Sequence, residues 1–459
     1  MVNFNPESRH DLYNESLKPV SCEEKKTSPF GMGVIWFGMG VQISAFISLS
    51  PLLQYYTVGE IALSFAIGFV ILILLGTLIW DIGLKYGISF ATSIASCFGP
   101  VGGRIVGLLR IIPSFFFFGI SGYLGAAALN EVCIMLTGYA NIWLWIIINA
   151  ALLVYATVHG IKGVEFFAKL ATPLLLVVMA FLSYSIFTRY NLTIGQALSL
   201  GRTTGNHKNL MYGICVTVGG FTTVVMGMND YGKDIKISEE EIKAGWWVRN
   251  RKPLGWSLLF GAVGYTFISS LAMVCVSVTG LTNPLALITE MMSDISIVLA
   301  ILVQLFIFCA QFSTNLGANI YPAIYVISGL FPKYISTKTA AIGFGIIAIA
   351  LRTWTLSGID AYMNVFASTA GPVLGIVFVD YYILRKTRLS VDDLYQTHGK
   401  YYYWKGFNLP AFITYVMGTA VAFLIPDYGF FVATALSGVI YYFLATAFSL
   451  RWPMLVKED

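Results

Sequence analysis

Twelve apolar runs, each long enough to cross a bilayer, constrain this chain more than any other feature. A helix spanning the hydrocarbon core needs about 20 predominantly apolar residues. Such runs fall at about 30–56, 61–80, 104–130, 141–160, 166–188, 209–230, 254–280, 295–330, 338–358, 361–384, 407–425 and 429–450. Backbone polar groups find no water at that depth, so each run is expected to satisfy its own hydrogen bonds as a helix. Charged residues make up 11% of the chain, less than half the roughly 25% of a soluble protein. The expected class is therefore an all-α integral membrane protein with twelve transmembrane helices. The third and eighth runs are the longest, which implies tilt or extension beyond the bilayer.

Basic residues orient the chain. All but four of the 28 Lys and Arg residues (Arg189, Arg202, Lys208 and Arg352) fall on one side when alternate connections are summed. By the positive-inside rule that side is cytoplasmic, with both termini on it and the chain multi-pass in the cell membrane. Residues 1–29 are polar, lack the apolar core of a signal peptide, and read as a mobile cytoplasmic tail. Residues 451–459 form the cytoplasmic C-terminus. The segment from about Tyr231 to Pro253 mixes charges of both signs and reads as a solvated connector. Asp380 with Arg385 and Lys386 reads as an interfacial ion pair, and Tyr401–Trp404 as an aromatic belt. His159 reads as a cap at a helix end. Six cysteines lack metal-ligand spacing and read mostly as apolar filler. The net charge of +5 gives no reason to expect nucleic acid, and no obligate protein partner is evident.

Polarity inside the apolar runs is concentrated in the eighth, where Ala310-Gln311-Phe312-Ser313-Thr314-Asn315-Leu316-Gly317-Ala318-Asn319 interrupts the hydrocarbon-like sequence. Asn315 and Asn319 are four apart and share a helical face. One interhelical hydrogen bond worth roughly 1 kcal/mol needs one polar residue rather than four, so a binding site is the better reading. The first run carries Gly31, Gly33, Gly38 and Gly40, followed by Gln42, Ser44 and Ser48. The sixth carries Gly213, Gly219, Gly220 and Gly227. Glycine at these places serves either close helix packing or local unwinding. Two glycine-interrupted spans lying five apart fit paired inverted repeats with a central site. In the third, Phe117 and Ser121 place a ring above a hydroxyl, just after Pro113.

This pattern excludes most catalytic chemistry. No HExxH, GxSxG, CxxC or phosphate-cradling glycine loop occurs, and the four histidines fall in tails, loops or helix ends. With no Asp, Glu, Lys or Arg near the centre of any span, a ligand held by amides, hydroxyls and rings is expected to be neutral. Ser313 and Thr314 hydroxyls, with carbonyls freed where the first span unwinds, would form an uncharged oxygen cage suited to sodium. A proton as the coupling ion stays open as the alternative.

Several segments carry a family resemblance: STNLGANIYPAIYVISGLFPKYI, GMNDYGKD, RIIPSFFFFGISGY and AGPVLGIVFVDYYILRKTRLSVDDLY, with GKYYYWKGFNLPAF following the last of these in the same order. The chain resembles the nucleobase–cation symporters, the family of purine, cytosine, allantoin and hydantoin permeases. The resemblance implies a LeuT-like five-plus-five inverted repeat, with 30–188 and 209–385 as the repeats, and two further helices in 407–450. It implies alternating access, a small neutral heterocyclic substrate, sodium as coupling ion, no other cofactor and no enzyme activity. Carried over by position, the ion site is Gly38, Val41, Ala310, Ser313 and Thr314. The substrate site is Gln42, Phe117, Ser121, Phe221, Asn315 and Asn319. The hydantoin branch has tryptophan where Phe117 and Phe221 stand and glutamine where Ser121 stands. Phenylalanine at the sixth-span position resembles the cytosine branch, so cytosine or a related nucleobase is expected. A channel should show polar stripes along the full length of several spans, and this chain does not. A non-transporting receptor and an intramembrane enzyme are the other classes weighed.

Overall fold

In the computed structural model the described residues are 12–13, 15–40, 49–159, 166, 169, 173, 177, 180–205, 207–281, 296–331, 333–355, 359–397, 399–425 and 428–450. Among them the fold is helical, with only isolated β-bridges. The helices meet the sequence expectation closely: Pro29–Gly40 in the first span, Val58–Tyr86 in the second, Pro100–Thr137 in the third and Ile142–Val158 in the fourth. Leu210–Met226 forms the sixth, Trp246–Thr279 the seventh, Ile297–Leu330 the eighth and Thr337–Leu351 the ninth. Ile359–Phe378 continues through Val379–Leu384 as the tenth, and Leu409–Leu424 and Gly429–Phe448 close the chain. Six of these helices are long and apolar enough to cross a membrane by length and composition. Residues 41–48 of the first expected span, and most of the fifth before residue 180, lie outside the described residues, and Ser50–Gln54 forms a short helical turn.

Local chemistry sets the ends. Thr57 accepts from the Glu60 amide while the Glu60 carboxylate accepts from the Thr57 amide, a capping box that opens the second span. Gly87, at φ +71°, closes it, and a Cβ there would meet the Val20 carbonyl. His159 caps the fourth span as expected, its Nδ1 2.8 Å from the Tyr155 carbonyl oxygen. The third-span helix runs unbroken through Pro113.

Three expectations are corrected. The described part of the N-terminal tail is a packed strap. The Leu12 amide donates to the Tyr395 carbonyl (2.9 Å) and the Val20 amide to Gly87 (2.8 Å). Thr27 pairs in a parallel bridge with Ile235, and Leu17, Lys25 and Thr27 are buried. Polar composition alone gave no sign that the connections offer this strap backbone partners. The connector after the sixth span is likewise only partly solvated. Asp230, Tyr231, Lys233 and Asp234 are buried, and the seventh helix begins within the charged stretch, at Trp246. There Arg249 grips Asp81 of the second span at 2.6 and 3.0 Å, and Asn250 donates to the same carboxylate. The Asp380–Arg385 pair forms as expected, at 2.7 Å, with both groups fully buried in the protein. Tyr441 donates to Asp380, and Arg385 donates to Tyr403. Tyr401 and Tyr403 are consequently core residues, and of the four expected belt aromatics Trp404 is the exposed one.

Candidate functional site

The eighth span carries the site on a distorted helix. From Ile297 to Thr314 it is an ordinary α-helix, and from Asn315 to Ile320 it widens into a π-helical turn before resuming at Tyr321. Such turns are rare and frequently mark functional positions, because they release carbonyls from the regular ladder. Two carbonyls within the turn take donors from other helices. Arg110 of the third span donates through Nη2 to Ala318 O at 2.7 Å, and Tyr231 donates to Gly317 O. Neither donor was expected as a site residue. The sequence shows Arg110 and Tyr231 but not the turn whose carbonyls they meet.

Of the positions expected for the ion site, Gly38, Ala310, Ser313 and Thr314 are described. Thr314 Oγ1 donates to the Gly38 carbonyl at 2.7 Å, joining the eighth span to the first. Ser313 Oγ is buried without a hydrogen-bond partner among the described residues. Ala310, one turn before Thr314, is wholly buried and has only a methyl group to obstruct the approach. Val41 lies outside the described residues. The unpaired Ser313 hydroxyl thus sits next in sequence to the Thr314 hydroxyl that meets the Gly38 carbonyl, and these are uncharged oxygens of the kind that could hold a hard monovalent cation. Among the described residues no group of three His, Cys, Asp or Glu side chains converges to hold a metal.

The substrate positions are brought together in part. Asn319 Nδ2 donates to Asn315 Oδ1 at 2.8 Å, and Asn315 Nδ2 donates to the Phe118 carbonyl of the third span at 3.0 Å. The two amides thus form one buried array rather than two separate contacts. Ser121 is buried on the third span, and Phe117 is half-buried, edge-on to Phe116 with ring centres 5.4 Å apart. Phe221 belongs to a different ring cluster. It meets Phe69 edge-on at 5.1 Å and Tyr265 at 5.4 Å, and those two stack at 4.1 Å. A Cβ added at Gly40 would lie 3.3 Å from the Phe69 ring, so this cluster abuts the first span where the described helix ends. Gln42 lies outside the described residues. Gln311, one turn before Asn315, is buried with neither end of its amide bonded among the described residues.

The sequence pattern of permeases for cytosine/purines, uracil, thiamine and allantoin matches residues 19–445. The hydantoin permease of Microbacterium maritypicum is 32% identical over 97% of this chain and 90% of its own length. Among solved structures, Mhp1, a nucleobase-cation-symport-1 family transporter, is similar in two states at 28–29% identity. The closed conformation with bromovinylhydantoin bound gives a TM-score of 0.92, covering 96% of this chain and 97% of that one. The inward-facing conformation gives 0.83, covering 98% and 99%. A sodium-coupled sialic acid symporter shares the fold alone, at 14% identity and a TM-score of 0.64 over 95% of this chain and 92% of its own.

Proposed function

Given that this chain belongs to the nucleobase–cation symporter family of cytosine/purine, uracil, thiamine and allantoin permeases, we propose that it imports one small, neutral, planar heterocycle together with sodium, with cytosine as the first candidate. It is a membrane transporter of LeuT-like fold and not an enzyme.

One observation carries the reading: Thr314 Oγ1 meets the Gly38 carbonyl beside the unpartnered Ser313 hydroxyl, one residue from the Asn315–Asn319 pair. Ion and substrate would then share one stretch of one helix. A cation held by Ser313, Thr314, Gly38 and the Ala310 turn, with Val41 from the first span, ties the eighth span to the first. That tie fixes the π-helical turn on which the two amides sit. A substrate bridging those amides to Phe117 and Ser121 of the third span, and to Gln42 and Phe221 across the site, ties the same helices in turn. Each ligand therefore raises affinity for the other, and the coupling is reciprocal. The amides can both donate and accept, which matches the mixed edge of a nucleobase, and the rings offer faces for stacking. The amides, hydroxyls and rings at these positions carry no charge to offset an ionic substrate's desolvation cost, and the guanidinium of Arg110 is already engaged by Ala318 O and Ser114. Delivery follows from alternation of the bundle between outward, closed and inward arrangements, with both termini cytoplasmic in the cell membrane.

Hydantoin is the second reading, favoured by the name of the 32% identical relative. Labelled substrate uptake into proteoliposomes separates the possibilities. An inward sodium gradient is expected to drive cytosine accumulation that disappears when choline replaces sodium. Accumulation driven by a proton gradient in sodium-free buffer would contradict sodium coupling, and hydantoin accumulation without cytosine accumulation would select the second reading.

A further inference from the structure

A cavity of about 290 Å³ opens where the third span begins, away from the transport site. The third span contributes Val101 and Arg104, the end of the eighth and the turn after it contribute Leu330, Phe331, Lys333 and Tyr334, and among the described residues no carboxylate lines it. Arg104 is half-buried and Lys333 exposed, and neither forms an ion pair among the described residues. Arg249 and Arg385, by contrast, are buried and paired with carboxylates. A partly desolvated cation without a counterion gains from an anion placed between the two. Below the cavity, Val101, Ile105, Leu108 and Ile112 are 36%, 48%, 43% and 57% exposed. Their spacing of four, three and four residues puts them on one face of the helix, forming an apolar stripe that starts at the cavity. Phe331 and Tyr334, also exposed, flank the mouth.

We propose that this cavity is a binding site for an anionic phospholipid, its phosphate held between Arg104 and Lys333 and one acyl chain lying on the Val101–Ile112 stripe. The two cations alone would suit any phosphate, but the stripe selects a ligand that continues into the bilayer. A basic cavity at the membrane surface between spanning helices is the setting in which acidic headgroups are recognised.

Native mass spectrometry of the purified full chain in detergent tests this. It would be offered phosphatidylglycerol or phosphatidylcholine with identical acyl chains. Phosphatidylglycerol should be retained preferentially. Each basic group near an acidic headgroup is worth about fivefold in affinity, so Lys333→Gln should weaken retention about fivefold and the double variant with Arg104→Gln by roughly 25-fold. Lys333 is exposed, so its variant keeps the test alive if the double variant fails to fold. Equal retention of both lipids, or undiminished phosphatidylglycerol on the Lys333→Gln protein, overturns the proposal. Displacement of bound lipid by millimolar glycerol phosphate would assign the cavity to a soluble phosphate and overturn it equally.

Discussion

Among the described residues, two of the buried polar regions are built from opposite materials. Mid-chain in the eighth span, polarity is carried by neutral groups: Ser313, Thr314, Asn315 and Asn319. Beside the N-terminal strap and the connections it binds, polarity is carried by ions: Asp81 with Arg249, and Asp380 with Arg385, each fully or almost fully buried and closely paired. A buried ion pair holds only while both partners stay in place, since either one left alone is strongly destabilising. Neutral amides and hydroxyls lose far less when a partner leaves. The first chemistry suits joints that stay shut, and the second suits contacts that must be exchanged for a ligand and remade in each cycle.

The sharpest way to break this contrast is to unpair a charge. Arg385→Met leaves Asp380 buried with Tyr441 and Cys97 as its remaining side-chain partners among the described residues, and a cost of about 3–5 kcal/mol is expected. Thermal unfolding in detergent should show a large fall in melting temperature or no folded protein, whether or not substrate is present. A melting temperature close to that of the parent protein would mean the pair is not a joint.

Asn319→Ala should behave in the opposite way. Substrate binding is expected to be lost, while stability changes by only about 1 kcal/mol, the worth of one hydrogen bond. Uptake at parental levels would remove Asn319 from the substrate site. Thr314→Ala removes one oxygen facing the proposed cation and should raise the sodium concentration for half-maximal uptake roughly tenfold, as expected for a lost contact to a charged group. Unchanged sodium dependence would count against the ion site.

The smallest effect concerns the strap. Lys25 donates to the Leu84 carbonyl at 2.5 Å, and burial lowers its pKa to about 8. In the unfolded chain a lysine titrates near 10.4. Between those values the folded protein holds fewer protons than the unfolded one, so stability should rise with pH from about 8 to about 10.4. Melting temperatures across that range, compared with those of Lys25→Met, should show a rise that the variant lacks. Parallel curves would show that the strap lysine does not titrate there.

Much of this contrast was legible in the residues themselves. Apolar run length located most helix ends to within a few residues, but the second and third helices run on to Tyr86 and Thr137, the ninth stops at Leu351, and the seventh begins earlier, at Trp246, where Arg249 and Asn250 find partners on the second span. Clustering of amides and hydroxyls in one apolar run pointed to Asn315, Asn319, Ser313 and Thr314 without knowledge of their neighbours. The π-helical turn was not legible, since its cause is tertiary: it is met by a guanidinium 208 residues away and a phenol 86 residues away. The buried ion pairs were hidden for a related reason. Composition shows that Asp380 and Arg385 are present, but only the packing of Tyr403 and Tyr441 around them takes them out of water.

The central claim is that one neutral ligand and sodium bind the same stretch of helix and strengthen each other. A thermal-shift titration of the purified protein tests it most directly, with cytosine, uracil, adenine, hypoxanthine, allantoin and hydantoin each offered in sodium and in choline buffer of equal ionic strength. A ligand that binds only the folded state raises the melting temperature. The account predicts a rise for one compound, cytosine first, that requires sodium. An equal rise in both buffers would contradict the coupling on which the account depends.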